Sequence, residues 1–241
     1  MRNILATIAV LTFTLSSCHS WFGEHIDGNG NITKENRSVS GFNGIDVSGG
    51  IDVIVRQDST ESVKVEIDAN LQEYIITKVE NGVLEIHQVN NTNLNASSGI
   101  KVYVSGKNFK SFEASGACDI IGENKIENTS EISFHATGAS KIELDLKAPK
   151  ISGDLTGASD LRLAGETKDL YINASGASNA RCFELMTENA DVDLSGASTA
   201  DVFASVSVKG EATGASNVTY KGSASSVVVS TSGAGSVNKT N

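Results

Sequence analysis

The sequence predicts an all-β protein, a parallel β-helix (β-solenoid) with coils of about 19 residues and an N-terminal strand-rich capping part. Three observations predict it. A four-residue phrase, S/T-G-A-x, recurs seven times: SGAC from Ser115, TGAS from Thr137, TGAS from Thr156, SGAS from Ser175, SGAS from Ser195, TGAS from Thr213 and SGAG from Ser232. Its glycines stand at 116, 138, 157, 176, 196, 214 and 233, at intervals of 22, 19, 19, 20, 18 and 19 residues. Such a period suits one coil of a solenoid, in which the chain climbs by one strand spacing, ~4.8 Å, per turn. The composition agrees, with 5% aromatic residues, 23 glycines and one proline, which suits an interior of small and β-branched side chains.

Aligning the repeats on the glycine separates inward from outward positions. Four residues after it come Ile120, Ile142, Leu161, Ala180, Ala200, Val218 and Val237, an apolar column. Three before it come Glu113, His135, Asp154, Asn173, Asp193, Glu211 and Ser230, a polar one. Neighbouring residues of a strand face opposite ways, so stacked strands need columns of this kind. The phrase itself reads as a corner. Glycine supplies a positive-φ bend, the alanine after it leaves room for the coil above, and the Ser or Thr before it is expected to pass hydrogen bonds up the column. Cys118 and Cys182 fall three coils apart in different columns, beyond the ~7 Å limit for disulfide Cα atoms, and are expected to be free and buried. Cys182 shares a column with Leu144, Leu163 and Val202.

Before the repeats, short alternating runs predict strands at IDVIVRQ from Ile51, SVKVEID from Ser62, GVLEIHQ from Gly82 and IKVYVSG from Ile100. NLQEYIITKV from Asn70 fits a short helix or a strand, and VNNTNLNASSG, running from Val89 to Gly99, reads as a loop.

The N-terminus carries an export signal. Arg2 precedes an apolar run from Ile4 to Leu15, too short for a spanning helix of ~20 residues, and L-S-S-C ends it at Cys18. Small residues directly before a cysteine resemble the lipobox of bacterial lipoproteins, which implies that Cys18 becomes the lipid-bearing first residue. The expected organisation is a signal over 1–17, a flexible tether over 18–37 and a folded domain over 38–241, on an outer-membrane lipoprotein of the cell envelope. A net charge of −10 argues against nucleic acid and against electrostatic attachment to anionic membranes, so the lipid has to supply the membrane contact.

From about Ser38 onward the chain resembles the bacterial head GIN domain family named for auto-transporter adhesins. The resemblance rests on F-N-G-I-D-V-S-G-G-I-D-V-I-V at Phe42 to Val55, on N-G-V-L-E-I at Asn81, and on the S/T-G-A-S coils behind a lipoprotein-like signal. It implies an exported parallel β-helix common in Bacteroidetes-like bacteria, implies little about activity beyond the family's adhesin label, and carries no catalytic residues over.

Parallel β-helices also host polysaccharide lyases and hydrolases, whose chemistry needs converging carboxylates with a basic group, or a calcium ion. The candidate patch here is Asp154, Asp193 and Glu211 in one column with Arg162 and Arg181 in another, near Asp160 and Asp201. His19, His25, His87 and His135 have no second His or Cys at ligand spacing, and nothing calls for a metal or cofactor. Repeat intervals of 18 to 22 residues leave no insertion large enough to wall a cleft. The expected function is therefore binding of a glycan or a protein on a solenoid face, not catalysis. Asp154, Asp193, Glu211, Arg162 and Arg181 are the candidate surface residues.

Overall fold

The computed structural model of the protein describes residues 23–241. The expected signal over 1–17 and Cys18 lie outside that range.

Alternating sequence becomes stacked strands in parallel register, with one shift at Arg162/Ala164. Before each corner run β3 (Gly44–Ser48), β10 (Ser111–Ser115) and β13 (Ile132–Ala136), then the second halves of β14 (Lys141–Leu155), β15 (Asp160–Ala174) and β16 (Asn179–Leu194), then β18 (Ser207–Gly214) and β20 (Ser226–Gly233). After each corner run β4 (Asp52–Gln57), β11 (Asp119–Gly122), the first halves of β14, β15 and β16, then β17 (Thr199–Phe203), β19 (Asn217–Lys221) and β21 (Ser236–Lys239). The apolar column is buried, as at Ile142, Leu161, Ala180 and Val218. The solenoid class predicted from the repeat is the fold observed.

The corners explain the repeated phrase. Every repeat glycine from Gly116 to Gly233 has positive φ, between 71° and 85°. The alanine amide after each glycine from Gly138 to Gly233 donates to the glycine carbonyl one coil below, as in Ala158 to Gly138 and Ala177 to Gly157, both 2.7 Å. The column reaches one coil further than the phrase, since Gly49 stacks beneath Gly116, and the Gln88 side-chain amide donates to the Gly49 carbonyl where no further corner follows.

The hydroxyls work differently from the expectation. The residue before each glycine lies toward solvent, and among the described residues only Ser232 bonds the hydroxyl below it, that of Thr213. The buried hydroxyl is the one two residues after the glycine. Ser140, Ser159, Ser178, Ser198 and Ser216 each donate 2.6–2.9 Å back to the carbonyl three residues earlier. At the bend that carbonyl points away from the coil above, and the serine satisfies it locally. Cys118 holds the same position in the first repeat, with its Sγ 3.4 Å from the Ile51 amide. Cys118 and Cys182 are both free and buried, as expected. Cys182 pairs with Val202, below a register shift at Arg162/Ala164.

The N-terminal part closes one end of the solenoid. β5 (Ser62–Asp68) lies antiparallel to β9 (Lys101–Gly106), which is parallel to β4, and β6 (Ile75–Glu80) lies antiparallel to β7 (Val83–Gln88), which is parallel to β3. The ambiguous stretch from Asn70 is both readings in turn, a 3₁₀ helix over Ala69–Tyr74 followed by β6. Phe109, Phe112 and Phe134, with successive ring centroids 5.5 Å apart, are buried in the core where the N-terminal part meets the first coils.

Two expectations need correction. The tether expected over 18–37 is folded from residue 24: β1 (Glu24–Asp27) pairs with β8 (Thr92–Asn95), and β2 (Ile32–Arg37) pairs antiparallel with β5. The stretch expected as a loop, Val89 to Gly99, supplies β8. A fully buried carboxylate ties these pieces together. Asp68 accepts the Gly30 amide at 2.7 Å, the Ser97 amide at 2.9 Å and the Ser97 hydroxyl at 2.7 Å. The Gly/Asn-rich composition that reads as a tether is here the backbone that wraps Asp68, since an added Cβ at Gly28 would stand 2.4 Å from its carboxyl.

Candidate binding face

The ladder before the corner turns two outward columns to solvent. One runs Ser133, Ser152, Tyr171, Asp191, Lys209 and Val228, and the other His135, Asp154, Asn173, Asp193, Glu211 and Ser230. They follow directly from the two-residue period of the strands. Asp154, Asp193 and Glu211 thus share one column, as the alignment predicts. Arg162 and Arg181 share another, in register with each other.

The structure does not bring the two sets together. The glycine corner lies between Asp154 and Arg162 in the coil, and each arginine is held on its own ladder. Arg162 reaches Glu143 at 3.8 Å, and Arg181 bonds Asp160. Both arginines are largely exposed, so the pairs contribute little stability, although Asp160 itself is partly buried. Glu143 lies below the ordinary carboxylate range, chiefly through its hydrogen bond with Lys141, with Arg162 adding to it. The five residues named as one candidate patch are therefore two separate surfaces.

A shallow depression of about 350 Å³ lies on the first of them, lined among others by Ser152, Asp154, Tyr171, Asn173, Asp191 and Asp193. Asn173 donates to Asp154 Oδ1 at 3.2 Å. Lys209, at its rim, lies 3.2 Å from Glu211 and 3.3 Å from Asp191, and hydrogen bonding to these two carboxylates, Glu211 first, raises its pKa above the usual lysine value. Tyr171 is 43% exposed, with the Lys150 ammonium 5.0 Å from its ring centroid. Sequence reasoning missed Tyr171, Asn173, Asp191 and Lys209. The column of Tyr171 mixes small, aromatic and charged residues, so it has no chemical uniformity to draw the eye.

A roomier open groove of about 710 Å³ follows another bend, past Lys147, Pro149, Thr167, Met186, Thr187 and Phe203. Its wall is mostly hydrocarbon, and of its charged residues Lys147 and Glu166 pair at 3.5 Å while Lys168 and Glu188 are in no ion pair among the described residues. Among the described residues no three His, Cys, Asp or Glu side chains gather as a metal ion would require, and no helix is long and apolar enough to cross a membrane.

The site is thus a set of polar columns on a parallel β-solenoid face, with a shallow depression among them. The chain belongs to the family described as putative auto-transporter adhesin, head GIN domain, whose model matches residues 41–224. Similar solved structures include a putative adhesin from Bacteroides fragilis, with a TM-score of 0.85 and 17% identity over 89% of this chain and 100% of that one. A putative adhesin from Parabacteroides merdae has a TM-score of 0.72 and 19% identity over 91% of this chain and 100% of that one. A putative lipid binding protein from Parabacteroides distasonis has a TM-score of 0.69 and 20% identity over 90% of this chain and 100% of that one. At these identities they share the fold. No curated protein matches the chain.

Proposed function

We propose that the protein is a lipid-anchored cell-envelope protein, held to the outer membrane through Cys18, that binds a glycan or a protein on the face carrying Asp154, Asn173, Asp193 and Glu211, without turning it over. The observation that carries this reading is the array itself. Outward polar side chains recur at one strand spacing, ~4.8 Å, so an extended ligand meets many weak contacts in series and gains affinity from their number. The separation of Arg162 and Arg181 from Asp154, Asp193 and Glu211 supports binding over cleavage on that face, because a lyase or hydrolase needs the two kinds of group to converge on one bond.

The test is a screen of the purified domain against host and bacterial polysaccharides and surface proteins, scoring both retention and released sugar. Retention without release is the expected result. Release of unsaturated or reducing ends, lost on Asp154→Ala, Arg162→Ala or Arg181→Ala, overturns it in favour of an enzyme. The anchor has its own test: Cys18→Ala should abolish fatty-acid labelling and leave an uncleaved or soluble species, and labelling that survives refutes it.

A further inference from the structure

We infer that the depression around Tyr171 is a subsite for one uncharged sugar unit of a glycan, with the tyrosine ring as its stacking platform. The inference rests on the binding reading above and narrows its ligand. Tyr171 is the one Phe, Tyr or Trp side chain in the two outward columns, rising beside Ser152 one coil below and Asp191 one coil above. A ring left 43% exposed on a face of small and polar residues keeps an unsatisfied apolar surface in water. The C–H faces of a sugar ring are the kind of surface such a platform covers.

One face of the ring has a partner before any ligand arrives, because the Lys150 ammonium lies over it, 5.0 Å from the centroid, and is itself tied to Glu131 at 3.2 Å. The sugar stacks on the face that this exposed cation–π contact leaves free.

The polar groups around it match hydroxyls. Asp154 has one oxygen engaged by Asn173, and Asp193, next in the column, is exposed and in no ion pair among the described residues. A carboxylate only accepts hydrogen bonds, and a sugar hydroxyl can donate to it. The same carboxylates decide against charged glycans. Asp154, Asp191 and Asp193 line the depression, the one lysine lining it, Lys209, is already shared by Asp191 and Glu211, and Lys150, over the Tyr171 ring, is paired with Glu131. A uronate or sulfate placed there meets uncompensated negative charge on a chain of net charge −10.

The experiment is affinity electrophoresis of the folded protein through gels holding a neutral β-glucan, an α-mannan or a galactan, against alginate and heparin. Wild type is expected to be retarded by at least one neutral polysaccharide and by neither anionic one. Tyr171→Ala should weaken that retardation tenfold or more, and Tyr171→Phe, which keeps the ring, should stay within about twofold of wild type. Circular dichroism melts of both variants should match wild type, since the side chain lies outside the core. Equal retardation of wild type and Tyr171→Ala overturns the subsite and leaves surface binding standing elsewhere on the face. Retardation by the anionic polysaccharides alone overturns the assignment of ligand charge. No retardation by any polysaccharide overturns the inference and leaves only the protein arm of the binding reading.

Discussion

A Cβ on Gly157 would stand 2.6 Å from the carbonyl oxygen of Gly138, the same oxygen that accepts the Ala158 amide. The corner is thus closed to every side chain for two separate reasons, a φ of 81° and the approach of the coil below. Gly157→Ala should cost about 1–2 kcal/mol for the left-handed conformation and a further 1–3 kcal/mol, approximately, for the overlap. Gly99 offers the control, with φ 77° and nothing within 4 Å of an added Cβ. Gly99→Ala should carry only the first cost. Urea unfolding midpoints of the two variants check the difference, and equal losses would mean that coil-to-coil approach is not what keeps the glycine.

Burial pushes the Cys182 thiol up to about 12, against the faint opposing pull of a backbone hydrogen bond at Leu163. In the unfolded chain the thiol ionises near 9, so the unfolded state loses its proton first as pH rises. The stability tied to this group is complete below pH 9 and drains away between 9 and 12. Cys182→Ala should flatten that alkaline decline, measured as unfolding free energy against pH. The native protein should resist thiol reagents at Cys182 until it is denatured.

Asp68 answers to acid. Burial alone would raise its carboxyl, but the Ser97 amide and hydroxyl and the Gly30 amide outweigh it and hold the group below the ordinary carboxylate value. A lowered folded-state pKa stabilises at neutral pH and is lost as pH falls through that pKa. Asp68→Asn should therefore be less stable than wild type at pH 7, with the gap closing below pH 4. Hydrogen exchange should show the loss first in β1, β2 and the segment around Ser97, because these are what Asp68 joins.

The two ends of the solenoid should open unequally. Every residue of β20 is exposed, including Val227 at 40%, Val228 at 61% and Val229 at 47%, and after Glu211 the sequence has no acidic residue. Amides of β20 should exchange well before those of β15, which is flanked by a coil on each side. Matching protection in the two strands would show that the last coil is covered in solution.

Period and chemistry decide which parts of this molecule can be read before it folds. The glycine spacing, the buried column from Ile120 to Val218 and the isolation of Cys118 from Cys182 follow from local rules: a strand alternates every two residues, and a corner needs positive φ wherever it recurs. The serine two places after the glycine escaped that logic. Ser159 and its counterparts recur in five of the seven phrases and Thr156 and its counterparts in all seven, and alignment alone does not say which hydroxyl turns inward.

The N-terminal segment and the binding face depended on the folded chain. Glycine and asparagine between residues 28 and 31 look like a tether because nothing nearby in sequence calls for them, whereas their partner, Asp68, is 38 residues from Gly30. Arg162 lies eight positions after Asp154 and shares its charge pattern with the coils around it, yet the corner between them turns the two columns onto different surfaces. Tyr171 became a site residue only when stacking set it beside Asp154 and Asp191. Repeats write short-range geometry into sequence, so the solenoid was legible from its text. Which side chains meet across coils and around corners is a matter of through-space distance, and only the tertiary structure supplied it.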